Sequence, residues 1–142
     1  MAKRRTIRTQ VRDRARNRCE YCRMPAEFDS ADFQVDHVRP QKHRGATKLE
    51  NLAWACFPCN NHKGPNLTGI DPQTDSIAAV YDPRTQAWTE HFEWDGPELV
   101  GLTPTGRATI AVMEINDASR VALRKELMFE GVFPPPGDQF EA

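Results

Sequence analysis

The sequence predicts an α+β fold, in which a small core lies between an N-terminal basic helix and a C-terminal β-hairpin followed by helices. Two observations carry this prediction. All four cysteines fall into Cys-x-x-Cys pairs, and short β-rich runs alternate with short helical patterns along the 142 residues. A chain of this length is long enough for one hydrophobic core, so residues 1–142 are expected to form a single domain.

The first segment of the chain is strongly basic, with nine Lys and Arg residues before residue 24. Residues 6–18, TIRTQVRDRARNR, predict a helix, because Ile7, Val11 and Ala15 recur every four positions and form one apolar stripe. Such a density of positive charge is typical of a phosphate-binding arm, although a solvated helix face is the alternative. The candidate phosphate contacts here are Arg4, Arg5, Arg8, Arg12 and Arg16.

The cysteine pairs predict a closed zinc site. The pairs are Cys19 with Cys22 and Cys56 with Cys59, separated by 33 residues, and no cysteine is left over. Two such pairs supply the four thiolates of a tetrahedral zinc site, which leaves no open coordination position and is therefore structural. Disulfides and a dithiol redox site are the alternatives.

The residues between the cysteine pairs predict two extended segments and a helical turn. Residues 32–40, DFQVDHVRP, are β-rich, alternate apolar and polar side chains, and end at a proline. Residues 49–56, LENLAWAC, form a second extended segment, and residues 58–64, PCNNHKG, form a short helical turn that a glycine ends. Residues 19–66 are therefore expected to be the zinc-stapled core.

Residues 71–131 are acidic and are expected to form a C-terminal extension of one hairpin and two helices. The hairpin is predicted within residues 76–94, with its turn at residues 82–85. His91 is expected to face solvent. One strand face is expected to be buried through three aromatic rings, those of Trp88, Phe92 and Trp94.

Capping residues mark the two predicted helices. The first is expected to begin at Thr103 or Thr105 and the second at Asp117, since both residue types cap helix N-termini. Gly131 is expected to end the second helix. Residues 132–142 are proline-rich and are expected to be a mobile tail.

Composition points to a soluble protein without a membrane partner. Apolar residues make up 39% and charged residues 27% of the chain, and no apolar run has membrane length. The N-terminus lacks the apolar stretch of a signal peptide, so a cytoplasmic location is expected. The net charge of -1 conceals an asymmetry, because residues 1–70 carry +7 and residues 71–142 carry -8.

Four segments, in this order and at these spacings, resemble the HNH nucleases: CEYC, VDHVRP, LENLAWAC and CFPCNNHKG. The nine-residue step from Asn51 to Asn60 is also similar to the HNH domain of RNA-guided CRISPR nucleases. The resemblance covers residues 19–64, and LTPTGRATIAVMEIN is more loosely similar to the extension of stand-alone bacterial or phage HNH proteins. It implies a ββα-metal (His-Me finger) fold, stapled by zinc in many bacterial members.

The resemblance also implies a set of site residues for phosphodiester hydrolysis. His37 would be the general base for a water molecule, since an imidazole can accept a proton near neutral pH. Asp36 and Asn60 would hold a catalytic divalent ion, and Asn51 would orient the strand and the imidazole. Many family members have a histidine where this chain has Asn60, and an amide oxygen favours Mg²⁺ or Mn²⁺ over softer metals.

Three expectations concern the surroundings of this site. A regular strand would direct Asp36 and His37 to opposite faces, so the strand is expected to twist or bulge there. Lys63 is a candidate phosphate contact. His62 is a candidate supplementary metal ligand or phosphate contact, and is otherwise expected to be exposed.

The leading hypothesis is a metal-dependent HNH endonuclease that acts on DNA. The family resemblance implies products with 3′-hydroxyl and 5′-phosphate ends. One alternative is a non-catalytic, zinc-stapled nucleic-acid-binding module, and another is a structural zinc protein that binds a protein partner through its acidic half. A single HNH site cuts one strand per event, and both a monomer and a homodimer remain open.

Overall fold

The computed structural model describes residues 5–136. Arg4 and residues 137–142 of the expected tail therefore lie outside the described residues. Within residues 5–136, none of the helices combines the length and the apolar character that a membrane crossing requires.

Helix α1 (Ile7–Arg14) is shorter than the predicted helix over residues 6–18. It begins after Thr6, whose hydroxyl accepts a hydrogen bond from a backbone amide of the first turn. It ends early because Arg16 and Asn17 both adopt positive φ angles, 56° and 55°. The side chain of Asn17 accepts a 2.9 Å hydrogen bond from the indole of Trp54, which ties this turn to the core.

Two strands and a helix follow one another within residues 34–63, in the order that the sequence predicts. Strand β1 (Gln34–His37) pairs antiparallel with β2 (Leu52–Ala55), and the pairing runs without interruption from the first residue of β1 to the last. All four residues of β2 are buried. Helix α2 (Phe57–Lys63) follows directly and ends at Gly64, whose φ of 48° favours glycine. Of the expected twist or bulge at Asp36 and His37, the uninterrupted pairing excludes the bulge.

The acidic half contains two hairpins rather than the one predicted within residues 76–94. Strand β3 pairs with β4 and strand β5 pairs with β6. These strands are β3 (Thr68–Asp71), β4 (Ser76–Ala79), β5 (Phe92–Asp95) and β6 (Glu98–Gly101). Residues 82–85 do form a turn, but this turn leads into a short helix, α3 (Trp88–His91), and not into a partner strand.

The helical turn of α3 changes how the aromatic residues reach the core. Trp88 and Phe92 are four positions apart and come onto one face, with ring centroids 5.2 Å apart. Both are buried, as predicted, and Trp94 is half-buried beside them. The prediction that His91 faces solvent is wrong, because its Nδ1 lies 2.6 Å from the Thr103 hydroxyl and the residue is half-buried.

Both predicted helices of the extension are present with the predicted caps. Helix α4 (Pro104–Met113) follows Thr103, whose side chain accepts a hydrogen bond from a first-turn amide. Helix α5 (Ala118–Phe129) follows Asp117 in the same way and ends before Gly131, which has a φ of 78°.

Buried and part-buried polar contacts join the acidic half to residues 19–66. The Trp88 indole donates a 2.9 Å hydrogen bond to the carbonyl of Tyr21. The guanidinium of Arg120 on α5 forms two hydrogen bonds, of 3.1 and 2.9 Å, with the carboxylate of Asp29. One hydrophobic cluster includes residues of both halves.

Candidate active site and zinc site

The four cysteines lie together in the core. All are buried, and their sulfur atoms lie within 4.8 Å of one another. The Sγ atoms of Cys22 and Cys56 are 3.7 Å apart. This distance exceeds a disulfide bond of about 2.05 Å. It is close to the edge of about 3.8 Å expected for a tetrahedron with Zn–S distances of about 2.3 Å. The cluster therefore has the geometry of a zinc site.

Electrostatics also favours a cation at this cluster. The Sγ of Cys19 accepts hydrogen bonds of 3.4 Å from two backbone amides of its own loop. Hydrogen bonds from Cys19 and the other thiols lower the pKa of Cys22, whereas hydrogen bonds with Cys19 and Cys22 raise the pKa of Cys56 and Cys59. A divalent ion bound at the cluster would favour the thiolate form of its cysteine ligands.

Asp36 is held by two buried donors. The phenol of Tyr21 donates a 2.5 Å hydrogen bond to Oδ2, and the ammonium of Lys63 lies 3.2 Å from Oδ1. Asp36 itself is only 5% exposed. Burial raises the pKa of its carboxyl, and the positive charge of Lys63 opposes that shift. The two donors fix the orientation of the carboxylate.

A side-chain hydrogen bond also connects Asn60 on α2 to strand β1. Its side-chain amide donates to the Oε1 of Gln34, which leaves the amide oxygen of Asn60 as a potential metal ligand. Gln34 and Asp36 are two positions apart on β1, and Asn60 and Lys63 are three apart on α2, so each pair shares one face of its element. These paired contacts attach α2 to β1.

His37 ends β1 and opens onto the same cavity as the two candidate metal ligands. Its Nε2 lies 2.9 Å from the hydroxyl of Thr47, and its carbonyl accepts a 2.9 Å hydrogen bond from Lys63. A shallow cavity of about 320 Å³ is lined by Asp36, His37 and Asn60 together. The three residues thus line one cavity although β1 has no bulge.

Asn51 closes the loop between β1 and β2. Its Nδ2 donates to the carbonyls of Arg39 and Ala46, at 3.0 and 2.8 Å, and its Oδ1 accepts from the Arg39 amide at 2.9 Å. Gly45 lies at the same point, where a Cβ would come 1.6 Å from the Arg39 carbonyl oxygen. Asn51 therefore contacts the loop backbone that follows His37.

The HNH endonuclease family model matches residues 19–66, the segment that carries this geometry. This segment is an HNH domain. The chain is also similar to the CRISPR-associated endonuclease Cas9 of Corynebacterium diphtheriae, with 32% identity over 89 residues. That alignment covers 62% of this chain, and the chain spans 8% of the length of that relative. No solved structure matches the chain significantly.

Two predicted contacts of the HNH domain are placed differently in the structure. Lys63 is 1% exposed and is bonded to Asp36 and to the His37 carbonyl, so its ammonium is not available on the surface for a phosphate. His62 has its Nδ1 2.9 Å from a carboxylate oxygen of Glu114 at the end of α4. The structure therefore does not bring His62 into the lining of the cavity.

The basic arm is partly used in internal contacts. Arg8 donates a 2.9 Å hydrogen bond to the Phe33 carbonyl, and its guanidinium lies over the Trp54 ring. Arg5 and Arg12 both form ion pairs with Asp13. Arg16 is exposed.

Sequence reasoning missed four residues of the site. Gln34 could have been found, because the two-residue period of a strand places it beside Asp36. Tyr21 lies in the first cysteine pair and Thr47 in a loop, where no periodicity indicates a direction. Lys42 lies in the same loop and lines the cavity.

Proposed function

We propose that this protein is a metal-dependent endonuclease that hydrolyses phosphodiester bonds of DNA. One observation carries the proposal: Asp36, His37 and Asn60 line one open cavity within a segment that matches the HNH endonuclease family. A carboxylate, an amide oxygen and an imidazole in one cavity are the groups that metal-assisted hydrolysis of a phosphodiester requires.

In this proposal the two metal sites have different tasks. A zinc ion held by four thiolates would be structural, because no coordination position is left for a substrate. Asp36 and Asn60 would hold Mg²⁺ or Mn²⁺, since both offer hard oxygen ligands. That ion would supply positive charge against the phosphoryl oxygens and the leaving oxygen.

His37 would act as the general base. We assign the Nε2 proton to the hydrogen bond with the Thr47 hydroxyl, which leaves Nδ1 to accept a proton from the attacking water. The oxygen of that water forms a bond to phosphorus as the bond from phosphorus to the 3′ oxygen breaks. The leaving oxygen takes a proton from solvent, so the products carry a 3′-hydroxyl and a 5′-phosphate.

The loop after β1 would supply the phosphate contacts nearest to the cavity. Lys42 lines the cavity, and Arg44 and Lys48 of the same loop are exposed. Together with the basic arm they would bind the DNA backbone, so binding should weaken steeply with salt and depend little on base sequence. One such site would cut one strand per event.

Incubation with supercoiled plasmid tests the proposal against its alternatives. With Mg²⁺ we expect nicked circles, and with EDTA we expect none. An electrophoretic shift of DNA without metal-dependent nicking would favour the non-catalytic binding module. The absence of both a shift at low salt and nicking would favour a structural zinc protein with a protein partner.

A further inference from the structure

We propose that Tyr21 is a positioning residue for the Asp36 carboxylate and that it links the zinc-binding cysteine pair to the hydrolytic site. The inference rests on the proposed function, because it concerns the carboxylate assigned to the catalytic divalent ion. Its evidence is the hydrogen bond of 2.5 Å from the Tyr21 hydroxyl to Asp36 Oδ2.

The backbone of Tyr21 is set by the cysteine cluster. Tyr21 lies between Cys19 and Cys22, and its amide donates a hydrogen bond of 3.4 Å to the Sγ of Cys19. A zinc ion bound by the two cysteines would hold this short loop in one conformation. The direction in which the Tyr21 side chain leaves the backbone therefore depends on the zinc site.

The ring of Tyr21 is equally constrained. The side chain is fully buried, and its ring meets that of Tyr81 edge to face, with centroids 6.4 Å apart. The Trp88 indole donates to the Tyr21 carbonyl at 2.9 Å. The phenol thus reaches Asp36 from a packed position and has no path to solvent.

The hydrogen bond from Tyr21 helps to fix the orientation of the Asp36 carboxylate. Asp36 accepts one hydrogen bond on each oxygen, from Tyr21 on Oδ2 and from Lys63 on Oδ1. Each carboxylate oxygen has two lone-pair sites, so a metal ion can still bind. Partners that hold a ligand in this way raise metal affinity by removing its alternative orientations.

The test is Tyr21→Phe, with Tyr81→Phe as the matched control. Both substitutions remove one hydroxyl from a buried ring, but only the first hydroxyl contacts Asp36. Mn²⁺ is titrated by calorimetry into the zinc-loaded full chain, and nicking is followed against Mg²⁺ concentration. We expect Tyr21→Phe to weaken Mn²⁺ binding by about ten- to a hundredfold. It should raise the Mg²⁺ concentration for half-maximal nicking without changing the KM for DNA, whereas Tyr81→Phe should match the wild type.

Other results would overturn the inference. Equal Mn²⁺ affinity in Tyr21→Phe and the wild type would show that the phenol does not position the carboxylate. Loss of zinc or of the folded state in Tyr21→Phe would assign the phenol to the fold instead. If the wild type binds Mn²⁺ but does not nick DNA, the proposed function fails, while the difference in Mn²⁺ affinity still reports on Tyr21.

Discussion

The ammonium of Lys63 lies 3.2 Å from the Asp36 carboxylate, and the two side chains are only 1% and 5% exposed. This pair joins α2 to β1 beside the cavity that the candidate metal ligands line. A buried ion pair is costly to break from one side, because the remaining charge is left without a partner in a poorly solvated place.

Lys63→Met should therefore act on stability first. We expect it to lower the free energy of unfolding by about 3 kcal/mol, since Asp36 loses its opposite charge. Urea denaturation measures this, and Lys48→Met, at an exposed position, is the matched control with little expected change. A Lys63→Met protein as stable as the wild type but weaker in DNA binding would show that Lys63 contacts phosphate after all.

Loss of zinc should affect the whole core. Cys59→Ser replaces a buried thiol of the cluster, and we expect a chain that binds less zinc, unfolds at lower temperature and is less soluble. Structural zinc contributes about 10 kcal/mol or more to the folding of small zinc domains, so partial loss should be easy to detect. Metal content and thermal unfolding are measured together. Stoichiometric zinc and an unchanged melting temperature in Cys59→Ser would contradict the zinc assignment.

We expect Asn51 to stabilise the loop between β1 and β2 and to contribute little to metal affinity. We expect Asn51→Ala to free the loop between β1 and β2, with faster amide exchange at Arg39 and a loss of about 1 kcal/mol in stability. Cleavage should fall about tenfold or more because His37 is displaced, while Mn²⁺ affinity stays near that of the wild type. Asn61→Ala, exposed on α2, is the control. Weak Mn²⁺ binding by Asn51→Ala would make Asn51 a metal ligand instead.

Lys42 should contribute to DNA binding from the rim of the cavity. We expect Lys42→Ala to weaken binding and to reduce the slope of log affinity against log salt by about 0.9, the value for one lost phosphate contact. Fluorescence anisotropy at several salt concentrations measures the slope. Lys125→Ala, on the exposed side of α5, should leave it unchanged. The same slope for Lys42→Ala and the wild type would place the DNA elsewhere.

The sequence predicted the elements whose determinants are local. The spacing of the four cysteines was enough to predict that they lie together. The β-rich run, the second extended segment and the glycine-ended helix also appear in the predicted order. Thr103 and Asp117 cap their helices because a side-chain oxygen can satisfy a first-turn amide wherever it precedes a helix.

Two predictions that the structure contradicts, the end of α1 and the position of the hairpin, failed because tertiary contacts decide them. The backbone turn at Arg16 and Asn17 is stabilised by a hydrogen bond from Trp54, which lies 37 positions from Asn17. No local sequence pattern predicts this turn. The prediction of one hairpin within residues 76–94 is wrong because the spacing of Trp88 and Phe92 fits both a strand face and a helical turn. In the core the two rings pack against each other from a helical turn.

The same limit applies inside the site. The sequence favours an exposed Lys63, because lysine is rarely buried unless it is paired. Its partner Asp36 lies 27 positions away, so no local pattern indicates the pair. The contact of Tyr21 with Asp36 spans 15 positions and connects a metal-binding loop to a strand. Residue types indicated the candidate site, but only packing showed which other side chains contact its residues.

The rate of plasmid nicking in Mg²⁺, compared between the wild type and His37→Ala, tests most directly whether His37 is the general base of an endonuclease. We expect the variant to fold, to bind zinc and DNA, and to nick at least about a hundredfold more slowly, because it lacks the base. His62→Ala, whose imidazole pairs with Glu114 away from the cavity, should nick like the wild type. Equal nicking by His37→Ala and the wild type, or an unfolded His37→Ala protein, would contradict the assignment of His37 as the general base.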